Sequence, residues 1–249
     1  MQNGKISASM MCTDLIHLKE VIGILEEKQV EYLHIDVMDG EFVPNFGLGV
    51  DYIRGLRSLT HIPLDLHLMI QNPERKLPWI GIRETDIVTI HYESTCQVQR
   101  ALDQMAVYHC RRFLAVNPAT PIYVLEEVLD YIDGINLLMV NPGFAGQKIV
   151  KSTLLKAKKL QKFLRENNKE NIEIEVDGNI TRENGALLRE CNAEIFVAGT
   201  SGVFSGPVSG YGENIDRFRE AIRGVRMPKL HFPAPNIPAL GANQIQERS

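Results

Sequence analysis

The chain has 249 residues, 44% hydrophobic and 23% charged, with a formal net charge of −4. That is ordinary globular composition with chain enough for a large core. Its mildly acidic balance argues against a nucleic-acid or membrane-surface partner, so an anionic ligand would have to be held locally, by backbone N–H groups or a cation.

The N-terminus, Met1 to Lys5, leads straight into a strand-like segment without a charged and then apolar leader, and no apolar run reaches bilayer-spanning length. Cys12, Cys96, Cys110 and Cys191 show neither redox nor zinc-ribbon spacing. A reduced, cytoplasmic setting is expected.

In chain order, Ile6 to Met10 reads as a strand and Asp14 to Lys28 as a helix with Leu15, Leu18, Ile22 and Leu25 on one stripe. Strands follow at Tyr32 to Val37, Leu64 to Met69, Ile87 to Ile90 and Phe113 to Val116. Thr120 and Pro121 read as the N-cap and first residue of a helix carrying Val124, Leu125 and Val128. Ile135 to Val140 is the sixth strand, and Ser152 to Glu166 a Leu- and Lys-rich helix. Ile172 to Val176 and Ile195 to Ala198 complete the strands, with helices at Thr181 to Glu190 and Glu213 to Arg223. Eight strands alternating with helices predict an α/β fold with a parallel sheet, a TIM (β/α)8 barrel over residues 1–226. An open doubly wound sheet is the alternative, but no G-x-G-x-x-G follows the first strand, so no nucleotide cofactor is expected. Pro228, Pro233, Pro235 and Pro238 break residues 227–249 into an extended or partly disordered C-terminal tail.

The polar residues fall where a barrel does its chemistry, at the carboxyl ends of the strands. Ser7 and Ser9 share a face of the first strand, His34 and Asp36 of the second, and Asp65, His67 and Met69 of the third. His91 ends the fourth, Asn141 follows the sixth, and Asp177 ends the seventh. Each alone reads equally well as a satisfied strand-end polar group. Together, His34, Asp36, His67 and Asp177 make an N2O2 set suited to Zn, Fe(II), Mn or Co. His91 reads either as a partner of a ligand or as a strand-end polar residue. Glycine-rich loops at 141–147, 177–179 and 199–202 suit βα turns and, by their combined position, a phosphate site on backbone N–H groups. Met38, Met69 and Met139 read first as core gap-fillers, and otherwise as a polarizable lining.

The segments ISASMMCTDL, HIDVMDGEFVPN, LDLHLM, NPGFAGQ, EVDGNI and VAGTSG, in this order across residues 5–205, resemble the ribulose-phosphate 3-epimerase family. The resemblance implies a TIM barrel that inverts carbon 3 of a ketose phosphate with one divalent metal ion. It implies His34, Asp36, His67 and Asp177 as metal ligands, with Asp36 and Asp177 also the catalytic acid–base pair, working through a metal-stabilised enediolate. It places Ser9 and His67 against substrate, under a lining of Met38, Met69 and Met139. Phosphate would lie on Gly143, Phe144, Ala145 and Gly146, on Gly178 and Asn179, and on Gly199, Thr200 and Ser201. A homo-oligomer, dimer or hexamer, is implied too. Where the family has a second glycine in VDGG, this chain has Asn179. That change, the Ala198-Gly199-Thr200-Ser201-Gly202 ending, Ser9-Met10-Met11-Cys12 and Phe144-Ala145-Gly146 look more like the subgroup acting on D-allulose 6-phosphate. D-Ribulose 5-phosphate is the alternative substrate. A non-catalytic phospho-sugar-binding barrel and a metal-assisted hydrolase are the rivals of another class; neither requires two opposed aspartates.

Overall fold

The computed structural model describes residues 3–223; the proline-rich segment 227–249 lies outside them. Eight strands form one closed barrel in chain order: β1 (Lys5–Ser9), β2 (Tyr32–Met38), β3 (Leu64–Met69), β4 (Ile87–His91), β5 (Arg111–Val116), β6 (Gly134–Leu138), β7 (Glu173–Asp177) and β8 (Ala193–Ala198). Every neighbouring pair is parallel, and β8 closes on β1 through Ile6↔Phe196 and Ala8↔Ala198. The expected TIM barrel is what forms.

Both faces of a parallel strand are buried, so each strand is apolar toward the helices and divided in character toward the axis. Leu33, Ile35, Leu66, Leu68, Ile90, Leu114, Val116, Ile135, Leu137 and Val176 join the core under the helices. Inside the barrel, a plug of Ile87, Phe113 and Ile195 with Tyr32 seals the amino end. Gly134 is required there, because a Cβ at that position would overlap the Phe113 ring. Above the plug lie Ser7, Asp65, Thr89, Asn136 and Glu175, all fully buried. Above those, at the carboxyl ends, lie the predicted site residues.

The outer layer contains α1 (Leu18–Glu27), α2 (Val50–Leu59), α3 (Leu77–Ile80), α4 (Val98–Ala106), a 3-10 segment (Ile122–Tyr131), α5 (Ser152–Glu166), α6 (Arg182–Glu190) and α7 (Tyr211–Ala221). α5 has the expected bounds, and Thr181 caps α6 by accepting from the Asn184 backbone N–H. Three expectations are corrected. α1 starts at Leu18 rather than Asp14, because the Asp14 carboxylate accepts from the backbone N–H groups of Ile16 and His17 and holds a turn; Leu15 is left half exposed. Pro121 is extended (ψ 150°) and is itself the N-cap, and the segment after it winds as 3-10 helix; the Thr120 hydroxyl donates to Glu93 instead. β6 ends at Leu138, two residues before the expected Val140: the Met139 N–H makes the last bond to β7, at the Asp177 carbonyl, and the Met139 carbonyl turns to the Val150 N–H.

Candidate active site

The strand register brings the predicted residues together. Asp36 on β2 pairs with His67 on β3, and Leu138 on β6 with Asp177 on β7. His34 Nε2 stands 3.3 Å from Asp36 Oδ1 and 3.7 Å from Asp177 Oδ2. His67 Nδ1 stands 3.4 Å from Asp36 Oδ1 and 3.3 Å from Asp177 Oδ2. These four donor atoms all lie within 4.8 Å of one another. Both histidines are fully buried, while the two aspartates reach the floor of an open pocket.

The ring nitrogens His34 Nε2 and His67 Nδ1 are buried and have no hydrogen-bond partner. A buried ring nitrogen left unpaired is costly. Donor separations of this size match the edge of a tetrahedron with metal–ligand bonds of about 2.0–2.1 Å, roughly 3.3–3.4 Å. Two imidazoles and two carboxylates therefore fit a divalent cation of the zinc, iron, manganese or cobalt type.

The opposite nitrogens are engaged. His34 Nδ1 lies 2.6 Å from Asp65 Oδ2, which also accepts from the Ser7 hydroxyl at 2.7 Å. Glu175 lies 3.7 Å from His34 Nδ1 and accepts from the Asn136 amide at 3.2 Å. His67 Nε2 lies 2.8 Å from His91 Nε2, and His91 Nδ1 faces Glu93 Oε2 at 3.4 Å.

The electrostatics follow from this packing. Burial disfavours charge on His34, yet Asp65 and Asp36 on either side outweigh it and raise its pKa well above the ordinary imidazole value. Burial likewise opposes charge on His67, and Asp177 and Asp36 overcome it, raising its pKa. Burial pushes the Asp36 carboxyl up, but His34 and His67 together hold it well below the usual carboxylate range. Asp65 is lowered in the same way, against its burial, by His34 and Ser7. Glu175 goes the other way: burial and the Asp65 charge raise it well above the usual range, favouring its neutral form. His91 is driven down to about 4 by burial, despite Glu93. The donor cluster is thus rich in negative charge and attracts protons or a cation.

Around this floor the pocket takes in Ser9, Met38 and Met69, and the loops after β6, β7 and β8 form its far wall. Ser9 Oγ donates to Asp36 Oδ2 at 3.3 Å. Of the loop residues expected at phosphate, Gly143, Phe144, Ala145, Gly146, Gly178, Asn179, Gly199, Thr200 and Ser201 all line the pocket. Gly178 has φ 106° and a Cβ there would lie 2.5 Å from Val140 Cγ2, so the position requires glycine. Asn179 sits in the left-handed region at φ 51°, and its Oδ1 accepts from the Ser201 hydroxyl at 2.7 Å, joining the seventh and eighth loops. Met139 is a correction: it is fully buried in the outer core and does not line the pocket. Asn136 and Leu138 face the axis, so strand alternation turns Met139 toward the helices.

The sequence reading gave no role to Asp65, Glu175 or Glu93, and left His91 open. The signal for two of them was present: Asp65 precedes His67, and Glu175 precedes Asp177, by the same two residues that separate His34 from Asp36.

Comparison with known proteins agrees with this geometry. The model of the family described as "Ribulose-phosphate 3 epimerase family" matches residues 5–204. The chain is 36% identical over 197 residues to "Ribulose-phosphate 3-epimerase" of Bacillus subtilis, covering 79% of this chain and 91% of that one. It is 35% identical over 226 residues to "Ribulose-5-phosphate-3-epimerase, chloroplastic" of Arabidopsis thaliana, covering 90% and 76% respectively. Among solved structures, 3-keto-L-gulonate-6-phosphate decarboxylase from Vibrio cholerae superposes with a TM-score of 0.65 at 14% identity, covering 89% of this chain and 98% of that one, a likeness of fold. The chain belongs to the ribulose-phosphate 3-epimerase family and is a carbohydrate-phosphate epimerase, an isomerase.

Proposed function

We propose that this protein inverts carbon 3 of a ketose phosphate with the aid of one divalent cation held by His34, Asp36, His67 and Asp177. The observation that carries the reading is the meeting of these four side chains, two with orphaned ring nitrogens, on the floor of a pocket whose far wall is three backbone-rich loops. The cation, when bound, supplies Lewis-acid stabilisation of the charge that builds on the ketose oxygens as carbon 3 loses its proton. One of Asp36 and Asp177 takes that proton, and the other, protonated beforehand, delivers its own proton to the opposite face of carbon 3. Inversion needs an acceptor on one face of the flattened carbon and a donor on the other, and these aspartates reach the pocket from β2 and β7. Each turns one oxygen toward the histidines, which leaves its other oxygen for substrate. Ser9 steadies Asp36, and Met38 and Met69 keep the floor apolar and water-poor. The phosphate lies on the backbone N–H groups of the glycine-rich loops.

For the substrate we propose D-allulose 6-phosphate, on the strength of Asn179 bonded to Ser201 where the family has a second glycine. D-Ribulose 5-phosphate is the second reading, favoured by the names of the curated relatives. Measuring kcat/KM for both sugars on one preparation, with deuterium incorporation at carbon 3 read by NMR, tests both levels. A tenfold or greater preference for the hexulose phosphate is expected; a preference for the pentulose phosphate assigns the second reading. Binding of either sugar without exchange would refute the epimerase mechanism.

A further inference from the structure

His67 and His91 meet through like atoms, Nε2 to Nε2, at 2.8 Å, with their rings inclined by only 21°. A hydrogen bond between two ring nitrogens needs one N–H and one lone pair. His67 presents Nδ1 to Asp36 and Asp177 at 3.4 and 3.3 Å. A nitrogen that ligates a cation carries no proton, so the single proton of a neutral His67 sits on Nε2 and is donated to His91. His91 Nε2 must then be the acceptor, which places the His91 proton on Nδ1. That nitrogen faces the Glu93 carboxylate at 3.4 Å. Glu93 is anchored in turn: its Oε1 accepts from the Asn117 backbone N–H at 2.9 Å and from the Thr120 hydroxyl. The Phe42 ring, which packs on the Met38 and Met69 cluster, lies against His91 with 4.7 Å between centroids. His91 is fully buried, and its Nδ1 and Glu93 Oε2, 3.4 Å apart, are both buried without another hydrogen-bond partner, so each is the group left for the other.

We propose that Glu93 and His91 are positioning residues that fix His67 in the Nε2–H tautomer, so that Nδ1 meets the cation without a proton. The inference rests on the cation-site reading given above. It makes the two histidine ligands complementary: His34 offers Nε2 and is oriented directly by Asp65, whereas His67 offers Nδ1 and is oriented through a second imidazole. Neither His91 nor Glu93 touches the pocket.

The test uses the full chain loaded with Zn(II). Long-range 1H–15N NMR of the imidazoles is expected to show His67 protonated at Nε2 and His91 protonated at Nδ1. Zn(II) affinity, measured by competition with a chromophoric chelator, is expected to fall about 10–100-fold in His91→Phe, which removes the acceptor. His91→Gln, whose amide oxygen can accept the same proton, is expected to recover most of that loss. The thermal midpoints of the metal-free forms separate this from a folding defect. A Zn(II)-loaded wild type with the His91 proton on Nε2 would overturn the proposal. So would His91→Phe and His91→Gln with equal affinities. Failure of the cation-site reading looks different: the wild type itself would bind Zn(II) no better than a His34→Ala variant.

Discussion

Replacing Asp36 or Asp177 by asparagine separates proton transfer from shape. Asp36 Oδ1 faces His34 Nε2 and His67 Nδ1 at 3.3 and 3.4 Å, and Oδ2 accepts from Ser9 at 3.3 Å. Asparagine keeps one carbonyl oxygen for the histidine side and fills the same volume, but it cannot accept a proton. The loss should therefore be that of one general acid–base group, ~10²–10⁴-fold in kcat, or about 3–5 kcal/mol of barrel-to-substrate stabilisation in the transition state. The same holds for Asp177→Asn from the opposite side of the barrel. The assay is epimerisation and solvent deuterium exchange at carbon 3, each started from either epimer, at a cation concentration shown to saturate the variant. Both variants should lose epimerisation by at least a hundredfold. Each should retain exchange with one epimer only, because the surviving carboxylate reaches one face of carbon 3, and the retained epimer should differ between the two. Epimerisation within tenfold of wild type in either saturated variant, or retention of the same epimer in both, would refute the two-face scheme.

Chelation should abolish carbon-3 exchange, and Mn, Co, Zn or Fe(II) should restore it; at a cation concentration 1,000-fold above Kd, linkage should also raise stability by about 4 kcal/mol, visible as a higher Tm. Gly47→Ala and Gly134→Ala should divide stability from catalysis. A Cβ on Gly47 would overlap the Asp36 carbonyl oxygen and crowd Met38, whereas one on Gly134 would overlap Phe113 at the far end of the barrel. Each should cost ~1–3 kcal/mol in urea unfolding, but only Gly47→Ala should lower kcat of the folded enzyme; a normal kcat for Gly47→Ala would break the link. Asp39 ties the second and third loops together by accepting from Lys76 and from the backbone N–H groups of Glu41, Phe42 and Gln71. Burial opposes its charge, but these donors hold its pKa down at about 2. Its folded value lies below the unfolded value of about 3.9, so its stabilisation is present above about pH 4 and is lost as the pH falls toward 2. The difference in unfolding free energy between wild type and Asp39→Asn should accordingly be constant from pH 5 to 7 and shrink below pH 4; a difference that holds at pH 3 and below would contradict the assignment.

The barrel and the donor set were legible because both are written in period two. Apolar residues alternate with His34, Asp36, His67 and Asp177 along short strands, and spacing alone puts His34 and Asp36 on one face and sets His67 and Asp177 at the carboxyl ends of their strands. Met139 faces the helices because strand alternation past Asn136 and Leu138 turns it there, a rule that the family resemblance overrode in placing all three methionines against substrate. α2 and α4 carry no assignment from the sequence; like α1, Val50–Leu59 and Val98–Ala106 begin without a capping side chain, so no local signal marks their starts. Asp14 and Thr120 were read as helix starters because such residues cap helices. In the fold, the Asp14 carboxylate closes a turn and the Thr120 hydroxyl reaches Glu93, a residue 27 positions away that no local pattern could have paired with it.

The buried polar layer gives the interior its order. A barrel of this size normally fills its axis with branched apolar side chains, and charged groups removed from water are costly unless paired. Here Ser7, Asp65, Asn136 and Glu175 stand between an apolar plug and the donor cluster. An apolar layer would be less costly to bury, but it would leave His34 Nδ1 with no partner and the ring free to turn. Asp65 removes that freedom, and Ser7 holds Asp65. Burial and the neighbouring Asp65 charge push the Glu175 carboxyl up, which favours the neutral form beside Asp65; a second negative charge in that volume would repel the first. The layer thus spends stability on orientation. His67, one strand further round the barrel, lacks a carboxylate at the same depth and reaches Glu93 through His91. On the proposed reading, the two histidine ligands are thereby fixed by two different routes, one running down the barrel axis through Asp65 and one running outward to the fourth loop through His91 and Glu93.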